Sequence, residues 1–145
     1  MRVEAGGPAA LEWIRERTQC ALTPHATCIQ AVDDKGRIRG VLAFDNWTVN
    51  AVQVHQAVDA PIIWRHLIGP AIDYAYRQCG KGLLVGVTPG SNKRACDMAK
   101  RMGMREAHRI RDGWAVGEDM VVFEMRREEC RWLSSDSGLG RKSGG

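Results

Sequence analysis

The feature that most restricts this chain is a short apolar run, Leu83-Leu84-Val85-Gly86-Val87, set between two stretches of helical periodicity. A strand with one wet face alternates apolar and polar residues. A run without a polar member is expected where helices cover a sheet on both faces, so Leu83–Val87 reads as a central strand. Before it, Ile63, Leu67, Ile68, Ala71, Ile72, Ala75 and Tyr76 recur at three- and four-residue spacing, predicting a helix from Ile62 to Cys79. Gly69-Pro70 should kink or divide that helix, because proline removes a backbone donor. After the run, Pro89-Gly90-Ser91-Asn92 opens a helix reaching about Met102. Ser91 is the better N-cap candidate, and Gly103 closes the helix in a left-handed conformation.

The flanking segments extend the sheet. Pro8–Thr18 is helical, with Leu11, Trp13 and Ile14 opposed to Glu12, Arg15, Glu16 and Arg17. Thr27–Val32 and Ile38–Phe44 read as strands joined by the turn Asp33-Asp34-Lys35-Gly36. Asp45–Thr48 forms a second turn, and Asn50–Val58 alternates as a third strand ended by Ala60-Pro61. Met104–Ile110, a turn at Arg111-Asp112-Gly113, and Asp119–Met125 complete the order. Ser134–Gly145, rich in Ser and Gly, is expected to be a disordered tail, leaving residues 1–133 as one domain. The fold class is α/β in the broad sense (α+β): a mixed, mostly antiparallel central sheet flanked by helices.

Composition narrows the setting. The chain has 145 residues, about the modal size of one domain. It contains no apolar stretch approaching the roughly 20 residues of a membrane span, nor the apolar segment of a signal peptide, so a cytoplasmic location without membrane contact is expected. Cys20, Cys28, Cys79, Cys96 and Cys130 form no CxxC pair and no Cys/His ligand spacing. Buried free thiols and no metal site are therefore expected. Between Asn92 and Arg111 seven basic residues stand against two acidic ones. That surface suits a phosphorylated cofactor, nucleic acid or an acidic protein, and equally a solvated helix face.

Three stretches carry a resemblance. Ser91-Asn92-Lys93-Arg94-Ala95-Cys96-Asp97-Met98-Ala99-Lys100-Arg101-Met102-Gly103-Met104 resembles the fourth-helix motif of the GNAT acyltransferase superfamily. Val52–Val58 followed by Trp64-Arg65, and Gly117–Val122 with Arg127–Leu133, resemble small GNAT-like proteins of phage and prophage genomes. The likeness implies an acetyl-CoA-dependent N-acetyltransferase acting by direct attack on an amine, the acceptor itself unassigned. It implies cofactor contacts from Gln56, Ala57, Val58, Ile63, Trp64, Arg65, Asn92, Ala95 and Cys96. Two departures stand out. The Gly-rich pyrophosphate loop of the superfamily is replaced by Asp59-Ala60-Pro61-Ile62-Ile63-Trp64-Arg65, and the tyrosine that often protonates the departing thiolate falls at Ala99.

Acetyl transfer to an amine needs a polarised thioester carbonyl, a base for the amine and a manager for the thiolate. His55 is the candidate base, since an ordinary imidazole titrates near 6.5, although alternation leaves open whether His55 or Val54 faces the interior. Ser91 is the candidate hydroxyl to stand in for the missing tyrosine. Trp47 and Trp64 are expected to flank the cleft. The partners compatible with the sequence are acetyl-CoA, an amine, nucleic acid through the basic stretch, and a second copy of the chain. A second reading makes the protein a catalytically weak or inactive binding module that engages nucleic acid or an acidic host protein.

Overall fold

Alternation, helical periodicity and turn residues combine, in a computed structural model describing residues 1–133, into one seven-stranded sheet with helices on both faces. The elements are β1 (Arg2–Ala5), α1 (Pro8–Thr18), β2 (Thr27–Val32), β3 (Ile38–Asp45), β4 (Ala51–Val58), α2 (Pro61–Ile72), β5 (Leu83–Pro89), α3 (Lys93–Met102), β6 (Arg105–Ala115) and β7 (Glu118–Arg126). The spatial order is β1-β2-β3-β4-β5-β7-β6, antiparallel throughout except for β4 and β5. The segment expected to form the tail, 134–145, lies outside the described residues.

The two faces of the sheet bury different sets of residues. Leu42, Phe44, Val52 and Leu84 pack with α2 residues Ile63, Leu67, Ile68 and Ala71, and with Met102, Phe123 and Met125, in the main core. On the other face Ala10 and Ile14 of α1 meet Cys28, Val41 and Ala43. Helix α2 approaches β3 closely at Gly40. A Cβ there would lie 2.9 Å from Ile63 Cγ2 and 3.1 Å from both Leu67 Cδ1 and Val58 Cγ1. The buried Tyr76 hydroxyl donates to the Met125 carbonyl, and Arg127 donates to the Tyr76 carbonyl at 2.8 Å, which ties the end of this helical segment to β7.

Four expectations change. A first strand, β1, pairs with β2, although four residues at a chain end carry too little alternation to announce it. Pro70 sits inside α2 and does not end it; the segment instead loosens into a π-helical turn over Asp73–Gln78. Proline cannot donate, and the ladder downstream relaxes to the wider spacing, as in Cys79 N to Tyr74 O at 2.8 Å. The Arg111-Asp112-Gly113 turn is a bulge within a longer β6. Asp112 tolerates φ 57°, and its carboxylate accepts from Gly117 N at 2.9 Å, so the chain reverses at Gly117. The cap of α3 is Asn92, whose Oδ1 accepts from Ala95 N at 3.1 Å; Ser91 lies one residue too early.

The contact at Gly40 makes a direct test of this packing. Gly40→Val should destabilise the fold by about 2 kcal/mol through overpacking against α2, lowering Tm by roughly 4–8 °C. Thermal unfolding followed by circular dichroism measures it.

Candidate functional site

Parallel pairing between β4 and β5 covers three positions, Ala51↔Leu83, Val52↔Leu84 and Gln53↔Val85. Beyond them β4 stays registered with β3 as far as Gly40↔Val58, and β5 with β7 as far as Pro89↔Met120. Each strand follows its antiparallel partner and the two diverge. The closed end is clamped: Gly82 N and Leu83 N donate to Asn50 O at 2.9 and 3.1 Å, and Lys81 Nζ donates to Thr48 O at 2.8 Å.

The opening holds a cleft of about 270 Å³. Val54, His55 and Gln56 form one wall and Gly86–Pro89 the other. Asn92, Ala95, Ala99 and Met102 of α3 line it, as do Met104 and Phe123. Arg17, Thr18 and Cys20, from the end of α1 and the following loop, complete it together with Trp114 of β6. Small residues on the lining face of α3 and Gly86 in β5 keep it open. A Cβ on Gly86 would meet the Met104 thioether at 3.4–3.5 Å.

Register decides which way the wall residues face. Cross-strand partners share a face of the sheet. His55 pairs with Ala43, from the α1 side, whereas Val54 pairs with Phe44 and Gln56 with Leu42, both from the main core. Both residues of the open alternative are therefore inside, on opposite faces. His55 Nε2 is buried without a hydrogen-bond partner among the described residues. Burial disfavours the imidazolium and holds His55 below its ordinary value of 6.5, with the nearby Asp45 carboxylate opposing the shift. Asp45 is itself fully buried, accepting from Thr23 N and Thr23 Oγ1 at 2.6 Å each. Burial alone would raise its carboxyl, but the Thr23 and Asn46 donors outweigh that and hold it below 3.8.

The candidate residues divide into those the cleft gathers and those it does not. His55, Gln56, Asn92 and Ala95 line it. Trp64 and Arg65 line a second cavity, about 670 Å³, between α2 and α3, with Arg101, Arg131 and Trp132. Trp64 Nε1 donates to Gln56 Oε1 at 2.9 Å, linking the two cavities. Ile63 is buried in the main core, against which Val58 and Cys96 also pack, and Ala57 packs on the α1 side. Ser91 lies outside the cleft lining, its amide donating to Glu118 Oε1 at 3.0 Å. Trp47 belongs to the closed end, near Phe44 and edge-on to Tyr74, and does not flank the cleft. Arg17, Thr18, Cys20 and Trp114 escaped sequence reasoning, since no local pattern links the end of α1 or a distant hairpin to β4.

At the start of α2, Pro61 has no N–H and Ile63 N is already bonded to Ala60 O at 3.0 Å. The amide cradle is correspondingly thin. Arg65 and Arg101 stand nearby without a carboxylate partner among the described residues, and Arg131 stacks over Trp132 at 4.8 Å. Among the described residues no cluster of metal-ligating side chains occurs, and no helix is long and apolar enough to cross a membrane.

The electrostatics of the His55 pair can be read directly. The imidazole should titrate below 6.5, and Asp45→Asn should lower it further by removing the opposing carboxylate. Because the folded value is depressed, protonation of His55 disfavours the fold, and that penalty grows as pH falls through 6.5. Imidazole chemical shifts against pH, in both forms, measure the shift.

No protein-family model and no curated sequence matches the chain. Solved structures do match its fold. The spermidine/spermine N-acetyltransferase SpeG from Vibrio cholerae, in complex with manganese ions, aligns with TM-score 0.69 at 12% identity, over 86% of this chain and 91% of that one. A dodecameric spermidine N-acetyltransferase from the same organism gives 0.68 at 11%, over 87% and 93%. The ribosomal-protein-S5-alanine acetyltransferase from Vibrio fischeri gives 0.63 at 14%, over 83% and 70%. At such identities the likeness is one of fold: the opened, mostly antiparallel sheet with flanking helices is the architecture of GNAT-type acetyltransferases.

Proposed function

We propose that this protein is an acetyl-CoA-dependent N-acetyltransferase that transfers the acetyl group by direct attack of an amine. The observation carrying the reading is the cleft between β4 and β5, with a buried, unpartnered His55 Nε2 at its wall. The fold likeness to acetyltransferases supports it.

The residues fit such a co-substrate. Acetyl-CoA supplies an activated acetyl thioester and a good leaving thiolate. Past Gln53 the edge of β4 has no β5 neighbour, which frees backbone donors of the Gln56–Val58 stretch to polarise a carbonyl. Asn92, Ala95 and Ala99 offer α3 a narrow, small-residue face to a slender chain. Arg65, Arg101 and Arg131 replace with guanidinium charge the amides that a Gly-rich loop would provide for phosphates.

His55 is the general base. Burial keeps it neutral near pH 7, so Nε2 can take the proton of the attacking amine. Neither tyrosine lines the cleft: Tyr76 is engaged with Met125 and Tyr74 with Thr27, while Ala99 occupies the lining position. Ser91, held on Glu118, is a poor substitute. The thiolate therefore departs without a dedicated side-chain acid in this reading.

The binding-module alternative draws on the basic stretch, but pairing weakens it. Arg105 is engaged by Glu124 and Glu129, and Arg109 by Glu106 and Asp119. Among the described residues, the basic side chains of this stretch without a carboxylate partner lie mostly on α3, whose Arg101 lines the cavity proposed for phosphate.

Acetyl-CoA at 100 times its Kd should stabilise the fold by about 2.7 kcal/mol, raising Tm by several degrees, with ATP giving no comparable shift. An unchanged Tm overturns the reading. His55→Gln should lower kcat about 10²–10⁴-fold with little change in acetyl-CoA affinity, and remove an acidic limb of kcat/KM lying below pH 6.5. Arg65→Ala and Arg101→Ala should each weaken acetyl-CoA binding about tenfold with kcat retained, as calorimetry and kinetics would show.

A further inference from the structure

The acetyltransferase reading leaves the acceptor open, and the face of the cleft that would receive it has a definite chemistry. Helix α1 packs on β2, β3 and β4, and among the described residues no helix packs comparably on the same face of β5, β7 and β6. Register puts Val87 beside Val122, Pro89 beside Met120, and Met120 beside Ile110 on that face. These residues form an apolar floor next to His55. Ile110 and Trp114 are 37% and 48% exposed, and Ile110 extends the apolar floor into a contiguous surface.

Charge at the cleft is one-sided. Among the described residues no Asp or Glu lines it, and its one permanently charged lining residue is Arg17. Asp45, the carboxylate behind His55, is turned to Thr23. Arg17 is fixed, with its guanidinium 3.6 Å over the Trp13 ring and Nη1 donating to Trp13 O at 3.2 Å. Its neighbours are the carboxylate of Asp59 at 3.8 Å, which Arg39 also engages at 3.0 Å, and beyond it Asp33 with Arg37. That chain of pairs holds three guanidiniums against two carboxylates and keeps a positive excess. Arg17 retains N–H donors that these contacts do not use.

We propose that the acceptor is an α-amino acid with an apolar or aromatic side chain, its carboxylate held by Arg17 and its side chain laid on the Val87–Val122–Met120–Ile110 floor against Trp114. This rests on the acetyltransferase reading and specifies its second substrate. The argument is electrostatic. A polycationic amine would enter a cleft without a lining carboxylate and meet Arg17, a like charge, whereas a carboxylate beside the amine gains a charge-assisted hydrogen bond. In the transfer, the neutral amine nitrogen bonds to the acetyl carbon, the carbon–sulfur bond breaks, the amine proton passes to His55, and sulfur leaves as thiolate. The products are an N-acetyl amino acid and CoA.

Thiol release from acetyl-CoA should be compared for L-phenylalanine, its decarboxylated counterpart phenethylamine, and spermidine, with acetyl-CoA binding measured separately by calorimetry. The expected kcat/KM for L-phenylalanine exceeds that for phenethylamine by about tenfold or more, with spermidine lowest. Arg17→Gln should lower the phenylalanine-to-phenethylamine ratio about tenfold, and Arg17→Lys should preserve more of it. Circular dichroism of both variants identifies any loss of fold, and the ratio is read on folded protein. A wild-type ratio near one, a preference for spermidine, or a ratio unmoved by Arg17→Gln overturns the proposal. So does acetyl-CoA binding without turnover of any α-amino acid. Absence of acetyl-CoA binding instead brings down the acetyltransferase reading itself, and this one with it.

Discussion

Everything that gives this protein a site follows from the early end of one strand pairing. β4 and β5 are held together at Asn50, Gly82 and Lys81, run parallel for three positions, and then separate. Antiparallel ladders bind each of them more firmly to β3 and β7 than the short parallel ladder binds them to each other. The sheet thus stays continuous at one end and opens at the other. Side chains that would otherwise be sealed between strands and helices line a cleft reached from both faces.

The close seat of α2 on β3 sets the second half of the arrangement. Without a side chain at Gly40, Ile63 and Leu67 come down onto the sheet, and the start of α2 lines the adjoining cavity. Proline at the first helical position then removes an amide where a phosphate-binding loop would want one. Guanidinium groups on α2, α3 and the segment after β7 surround the adjoining cavity instead. Amides and guanidiniums solve the same electrostatic problem differently. Amides are fixed by backbone geometry, whereas arginines bring full charge on long stems that must be ordered by stacking, as Arg131 is on Trp132.

His55 shows how burial and a neighbouring charge share control of one group. The desolvation of its imidazole pushes towards the neutral form, and Asp45, locked by Thr23, limits how far. A ring nitrogen without a hydrogen-bond partner among the described residues is costly in a folded core, and in the proposed reaction it is the atom that would take the amine proton.

The chain's own residue pattern determined the class of fold and most of its elements. The Asp33–Gly36 turn marked β2 and β3, alternation marked β4, three- and four-residue spacing marked α2, the apolar run Leu83–Val87 marked β5 as an interior strand although most of it is only half-buried, and Gly103 marked the end of α3. These are local signals, because backbone conformation answers to neighbours within a few residues. His55, Gln56, Asn92 and Ala95, candidates from the sequence, line the cleft, and they sit in continuous motifs on elements the pattern defines. Tertiary structure alone decided the rest. The bulge at Asp112 needed its carboxylate on Gly117 N across a hairpin. The facing of His55 needed the register of β4 on β3. Arg17 and Trp114, far from β4 in the chain, joined the cleft only through the packing of α1 and the curl of β6. Contacts between distant segments depend on how whole elements stack, and no short stretch of sequence carries that information.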